Sequence, residues 1–167
     1  MTVENTTLNI EQTVGPQDFA VCAAMMAATS PWLTMGLDVD YCRKAFDGQF
    51  REVFLLKKRE EIVGFVIMQP QGSFKGYIQT LCVREGNRGQ GYGKMLLQFC
   101  EDRILQYSPN IFICVSTFNQ KALQLYLSFG FEPVGEIKNF VKDGFDELLL
   151  RKTAGAVVGY TPAEDKK

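Results

Sequence analysis

One stretch, Leu81-Cys-Val-Arg-Glu-Gly-Asn-Arg-Gly-Gln-Gly-Tyr-Gly-Lys94, restricts this chain more than any other. An apolar run, Tyr77 to Val83, enters it, and a helical pattern beginning Met95-Leu96-Leu97 leaves it. Gly89, Gly91 and Gly93 stand at the junction. Glycine lets backbone approach a ligand closely because no Cβ intervenes. A helix start behind such a loop offers unpaired N–H groups and the positive end of the helix dipole. Strand, glycine loop and helix start therefore make an anion site, whose commonest guest is phosphate.

Spacing narrows the phosphate. A P-loop needs G-x-x-x-x-G-K-[ST]; Gly93-Lys94 supplies the end, but Arg88 stands five before Gly93 and Met95 follows Lys94. A dinucleotide fingerprint needs G-x-G-x-x-G. Counted from Gly89 or Gly91, its third glycine falls on Lys94 or Leu96. Arg88-Gly89-Gln90-Gly91-Tyr92-Gly93 instead reads as R-x-x-G-x-G.

The chain contains no histidine. That removes Ser/His and Cys/His nucleophile pairs and every His-containing zinc site, and no metal site is expected. Acid–base chemistry is left to Glu, Asp, Tyr, Lys, Cys or water. Cys22, Cys42, Cys82, Cys100 and Cys114 are odd in number, widely spaced and mostly set in apolar patterns. They read as buried free thiols in a reducing, cytoplasmic setting. A net charge of −1 gives no general attraction to nucleic acid or an anionic membrane. No apolar run approaches the roughly 18 residues of a membrane span, and Met1-Thr-Val-Glu-Asn lacks the marks of a secretory signal.

The 167 residues suit one domain with a substantial core. Thr6 to Val14 alternates as a strand, and Gly15-Pro16 opens a helix over Phe19 to Thr29 whose Met25 and Met26 are core by preference. Ser30 to Gly36 interrupts, with Trp32 either sealing the core edge or walling a cleft. Asp38 or Asp40 then caps a short helix through Phe46. Glu52 to Lys58 and Ile62 to Met68 form a hairpin around a charged turn, and Tyr77 to Val83 feeds the loop. The next helix is expected to bury Met95, Leu96, Phe99, Cys100 and Ile104 or Leu105. Ile111 to Val115 reads as a central strand covered on both faces. Asn119 caps a helix to Ser128, with Gly130 past its end. Phe131 to Phe140 and Phe145 to Lys152 flank the turn Lys142-Asp143-Gly144. The order β-α-α-β-β-β-α-β-α-β-β predicts an α/β (α+β) fold, a mixed sheet with helices on both faces. Residues 154–167 are expected to form a loosely held tail, unless Val157 to Tyr160 packs.

R-x-x-G-x-G, the strand end Leu81-Cys82-Val83, and Asn119-x-x-Ala122-x-x-Leu125-Tyr126-x-x-x-Gly130-Phe131 together resemble the GNAT superfamily, the GCN5-related N-acetyltransferases. The order of elements is also the family's, so the resemblance covers roughly Thr6 to Lys152, within a domain of residues 6–153. It implies a mostly antiparallel central sheet and acetyl-CoA as co-substrate. The amides of Arg88, Gly89, Gln90, Gly91, Tyr92, Gly93 and Lys94 would hold the pyrophosphate. Those of Leu81 and Val83, with Cys82 between them, would pair with the pantetheine arm. Asn119 would hydrogen-bond that arm, and Tyr126 would protonate the leaving thiolate as catalytic acid. Seven residues separate these two, about two helical turns, so they share a face. Without the motif, Tyr126 would read as one more member of the core stripe, and Lys94 as a solvated first-turn lysine.

The resemblance further implies N-acetyl transfer to a primary amine, small-molecule or protein. Some family members carry a glutamate base on the strand before the loop. Here that strand, Tyr77-Ile-Gln-Thr-Leu-Cys-Val, has no carboxylate, which leaves the base open. Direct attack by a small deprotonated fraction of the amine is one route, and a water chain near Gln79 and Thr80 is another. Trp32, Tyr41 and Phe140 are candidate walls for the acceptor, and Glu136, Asp143, Asp146 and Glu147 make the last hairpin acidic. Two alternatives stand: a non-catalytic acyl-CoA-binding module, and transfer of a longer acyl chain. Many members of this fold dimerise, so a homodimer is compatible with the sequence.

Overall fold

The computed structural model describes residues 7–163. Thr6 of the expected first strand, the domain start placed there, the residues before it, and the tail end at 164–167 lie outside the described residues. The strands are β1 (Leu8–Thr13), β2 (Glu52–Lys58), β3 (Glu61–Gln69), β4 (Tyr77–Val83), β5 (Asn110–Ser116), β6 (Glu132–Lys142) and β7 (Phe145–Thr153). The α-helices are α1 (Pro16–Ala27), α2 (Val39–Arg43), α3 (Tyr92–Ile104) and α4 (Gln120–Phe129). Their order along the chain is the one the sequence predicts. One seven-stranded sheet runs β1-β2-β3-β4-β5-β7-β6. Every neighbouring pair is antiparallel except β4 and β5.

That exception places the site. β4 and β5 pair only at Tyr77 with Phe112 and Ile78 with Ile113. Beyond Ile78, β4 has no strand partner on that side, so a wedge opens in the middle of the sheet. Strand edges with free backbone groups are templates for an extended ligand.

Two cores flank the sheet. On one face α3 and α4 bury Leu96, Leu97, Cys100, Ile104 and Tyr126 against Val66, Met68, Ile78, Ile111, Ile113, Val115 and Leu150. On the other, α1 and α2 bury Cys22, Met25, Met26 and Cys42 against Val53, Leu55, Phe65, Ile67 and Cys82. Each such large aliphatic side chain contributes about 1.5–3 kcal/mol of burial. Arg103 of α3 adds a two-pronged hydrogen-bonded pair with Glu52 of β2, at 2.9 and 2.7 Å.

Local chemistry sets the element ends. Asp38, not Asp40, caps α2 by accepting from Tyr41 N–H at 2.8 Å. The short α2 then tightens into a 3₁₀ turn at Lys44–Phe46. Pro16 stands at the first turn of α1, and Gly130, at φ 108°, ends α4. In the β2–β3 hairpin β2 has the expected bounds and β3 runs one residue farther at each end, leaving Arg59 and Glu60 as the turn.

Two burial expectations fail. Met95 is 39% exposed, because α3 turns Tyr92, Leu96, Leu97, Cys100 and Ile104 inward and leaves Met95 off that stripe. β5 is not covered on both faces either. Ile111, Ile113 and Val115 are buried, whereas Phe112 and Cys114 on the alternate face are only half-buried. The continuous apolar run conceals a face that opens on a cleft. Past Thr153 no further strand or helix follows to residue 163, but the Tyr160 hydroxyl donates to the Leu105 carbonyl at 2.7 Å and ties the tail to the end of α3. No helix among the described residues is long and apolar enough to cross a membrane.

Candidate active site

The wedge between β4 and β5 belongs to a cleft of about 470 Å³. Leu81 and Val83 line it from β4, Cys114 and Ser116 from β5, and Asn119, Ala122, Leu125 and Tyr126 from the α4 side. The glycine loop closes one border with Arg88, Gly89, Gly91, Tyr92, Gly93 and Lys94. Trp32 and Met35 of the α1–α2 connector, Phe140 and Val141 of β6, and Glu147 of β7 complete the lining.

Within the loop the glycines do different jobs. Gly89 and Gly91 have φ of 75° and 82°, in the left-handed region where a Cβ is costly. Gly93 is helical, and a Cβ there would lie 3.0 Å from Leu125 Cδ2, so it sets how closely α3 meets α4. Met95 N–H makes the first helical bond, to Gly91 O at 3.0 Å. The amides of Tyr92, Gly93 and Lys94 precede that bond and have no intrahelical acceptor. Three donors and the helix dipole therefore converge at this border of the cleft.

Arg88 is committed elsewhere. Its Nη2 donates to Ser30 O at 3.1 Å, its Nε to Val83 O at 3.4 Å, and its Nη1 lies 3.3 Å from Glu85. The guanidinium thus straps the loop to the end of β4 and to the α1–α2 connector. Asn119 caps α4 through Oδ1, which accepts from Ala122 N–H at 3.4 Å. What its side chain can still offer a ligand is the Nδ2 donor.

Tyr126 is 6% exposed and lines the cleft, its ring edge-on to Phe131 at 6.1 Å. Burial, with smaller contributions from the nearby thiols of Cys82 and Cys100, raises its phenol well above the ordinary tyrosine value. The group is a proton donor throughout the neutral range. Acid and core readings of Tyr126 are not exclusive: one ring edge packs while the side chain borders the cleft.

Not every expected residue comes to the site. The Cys82 side chain packs away from the cleft into the α1–α2 core, where desolvation pushes its thiol up to about 12. Cys22 and Cys100 are likewise buried and pushed up to about 12 by desolvation, as inert structural thiols are. Gln90 and Tyr41 are exposed and absent from the lining, so Tyr41 is no cleft wall. Trp32 lines the cleft and packs against the α1–α2 core. Phe140 and Thr80 line it. Gln79 also lines it, but its amide donates to Ala45 O at 2.9 Å and accepts from Gln69 at 2.7 Å. That double commitment makes it a strut between strands and the 3₁₀ turn after α2. Met25 and Met26 are core and absent from the lining.

Glu147 is the residue the sequence misplaces. Among the hairpin's five acidic side chains it is the buried one, at 5% exposure, and it lines the cleft. Ser116 Oγ, opposite it in register, donates to Glu147 Oε1 at 2.5 Å. Alternation along β7 carries the signal, with Leu148 and Leu150 facing the α3–α4 core and Glu147 the other side. Tyr77 and Cys114 line the same cleft. Lys142 Nζ reaches from the hairpin to Met35 O at 2.5 Å and joins β6 to the connector across the cleft. No group of three or more potential metal-ligating side chains occurs among the described residues.

The model of the Acetyltransferase (GNAT) family matches residues 21–131. Among solved structures, the ribosomal-protein-S18-alanine N-acetyltransferase from Escherichia coli is similar in fold, with a TM-score of 0.72, 16% identity, and coverage of 96% of this chain and 99% of that one. NAA60 from Arabidopsis thaliana, solved with a bisubstrate analogue, gives 0.68 at 19% identity, covering 89% and 100%. An aminoglycoside 6'-N-acetyltransferase complexed with coenzyme A gives 0.68 at 16% identity, covering 87% and 96%. Fold, glycine loop and family match agree: the chain belongs to the GNAT family of acetyltransferases.

Proposed function

We propose that the protein transfers an acetyl group from acetyl-CoA to a primary amine, with Tyr126 as the catalytic acid. The observation that carries this reading is the shared cleft. The loop amides, the unpaired edge of β4, the Asn119 cap and Tyr126 all border one space. The donor set fits the co-substrate. Amides at a helix start suit a pyrophosphate. A free strand edge suits an amide-bearing arm, as in strand addition. Acetyl-CoA supplies an activated thioester when bound.

The chain's residues then perform three tasks. The amides of Gly89 to Lys94 fix the phosphate end, and Arg88 holds the loop in place for them. Asn119 Nδ2 and the backbone of Leu81 and Val83 orient the arm so that its sulfur lies toward Tyr126. The Tyr126 hydroxyl donates to that sulfur as the carbon–sulfur bond breaks. Burial keeps the phenol protonated, so its proton is available when the thiolate forms.

Two of the structural relatives are named for a protein alanine and for an aminoglycoside, so the acceptor class in this fold is an amine of either origin. Tyr126→Phe is the test. Turnover, read as thiol release in the presence of an amine, should fall by about 10²- to 10⁴-fold while coenzyme A affinity is kept. Unchanged turnover would remove Tyr126 from the chemistry. Coenzyme A binding without turnover in the parent protein, across amines, would make the chain a binding module.

A further inference from the structure

We infer that Glu147 receives the ammonium group of the acceptor and takes its proton, and that the acceptor carries a single positive charge on an apolar body. This rests on the acetyl-transfer reading above. The geometry begins with an unpaired buried carboxyl. Glu147 is 5% exposed, accepts one hydrogen bond from Ser116 Oγ, and makes no ion pair among the described residues. Burying a carboxylate without a cation costs several kcal/mol, so such groups are ordinarily paired. Here the carboxyl borders an open cleft instead of sealed core, and a cation arriving through the cleft would complete it.

The other walls specify the cation. Glu147 is the only carboxylate among the cleft-lining residues, whereas Arg88, Lys94 and Lys121 line it from the loop and the start of α4. A second ammonium would find no second carboxylate in the lining. Trp32, Met35, Phe140 and Val141 supply apolar surface around the same space. An ammonium on an aromatic or aliphatic body therefore fits, whether it is a free amine or the N-terminus of a peptide with an apolar first residue.

The proton count closes. The ammonium loses one proton to the Glu147 carboxylate, and the neutral nitrogen forms a bond to the thioester carbon. The carbon–sulfur bond then breaks as Tyr126 gives its proton to sulfur. The second nitrogen proton returns Tyr126 to the phenol through solvent, and Glu147 releases its proton to water. The titratable neighbours Tyr77, Cys114 and Tyr126 are all held protonated by burial, so none competes as base near neutral pH. Desolvation also raises the Glu147 carboxyl above the ordinary glutamate value, against a smaller opposing pull from Ser116, which brings a base closer to working pH.

Two measurements on the full chain test this. The first compares thermal melts of the parent and Glu147→Gln from pH 4 to 9 without coenzyme A. A carboxyl raised in the folded state ionises first in the unfolded chain as pH rises. Parent stability therefore falls between the ordinary glutamate value and the raised folded value, then stays lower. The melting-temperature gap in favour of the variant should widen over that interval and level off. Parallel curves overturn the assignment of a buried, unpaired charge.

The second measures transfer to phenethylamine, to a dipeptide with N-terminal methionine, and to spermidine. Glu147→Gln should lower kcat/KM by about 100-fold or more and abolish its acid limb, with coenzyme A affinity unchanged. Ser116→Ala should move that limb to higher pH, since the lost bond favours the ionised form. Glu132→Gln, exposed on β6, should behave as the parent. Retained activity and acid limb in Glu147→Gln, preference for spermidine, or no transfer to either apolar amine overturns the proposal. Phenethylamine against the dipeptide separates a free amine from a chain terminus. If acetyl-CoA fails to bind the parent, the acetyl-transfer reading falls, and the melts still judge the carboxyl by itself.

Discussion

Replacing Gly91 by alanine should expose the strain that the glycine loop demands. Gly91 has φ 82° and ψ 6°, and nothing lies within 4 Å of where its Cβ would sit. The cost is therefore conformational and not a clash. Holding a non-glycine residue in the left-handed region costs about 1–2 kcal/mol. Against that, alanine restricts the unfolded chain and returns about 0.4–1 kcal/mol. The net is about 1 kcal/mol, or about 2–4 °C in melting temperature for a domain of this size. The loss can divide in two ways. If the loop keeps its shape, stability falls and coenzyme A affinity survives. If the loop relaxes, stability is spared and affinity falls instead. Differential scanning calorimetry with and without acetyl-CoA reads both shares. Gly86→Ala, with no positive φ and nothing within 4 Å of its Cβ, is the control and should gain about 0.4–1 kcal/mol with coenzyme A affinity unchanged. Gly91→Ala with unchanged melting temperature and unchanged affinity would refute the strained-loop argument.

Two further substitutions separate structure from binding. Asn119→Asp keeps a capping oxygen for Ala122 N–H but removes the Nδ2 donor, so stability should hold while coenzyme A affinity drops, measured by calorimetric titration. Asn119→Ala should lose both, with about 0.5–2 kcal/mol of stability. Lys142→Met removes the bond to Met35 O that joins hairpin and connector, and should raise KM for the amine several-fold with coenzyme A affinity unchanged.

Much of this arrangement is written locally and is legible without coordinates. The seven strands and four helices follow from alternation, capping residues and turn pairs, because each signal acts over a few neighbours. The loop is legible for the same reason, since its glycine spacing encodes backbone shape. What escapes the sequence is set by register between distant strands. Glu147 reads as one charge on an acidic hairpin until pairing with Ser116 places it at the cleft. Cys114 and Phe112 sit in an apolar run that suggests full burial, until the splay of β4 from β5 uncovers their face. Arg88 looks like a phosphate ligand by charge alone. Only the position of Ser30, 58 residues earlier, shows its guanidinium strapped to the protein. Met95 misleads because an apolar residue in a helix start carries no mark of which side it faces.

The central claim is that the glycine loop and the open edge of β4 hold coenzyme A. Amide chemical shifts during titration of the ¹⁵N-labelled protein with acetyl-CoA test it most directly. The account predicts saturation at one equivalent, with the largest shifts at Gly89 to Lys94 and further shifts at Leu81, Val83 and Asn119. No shift at these amides when the ligand is saturating, or shifts confined to a different face of the sheet, would contradict it.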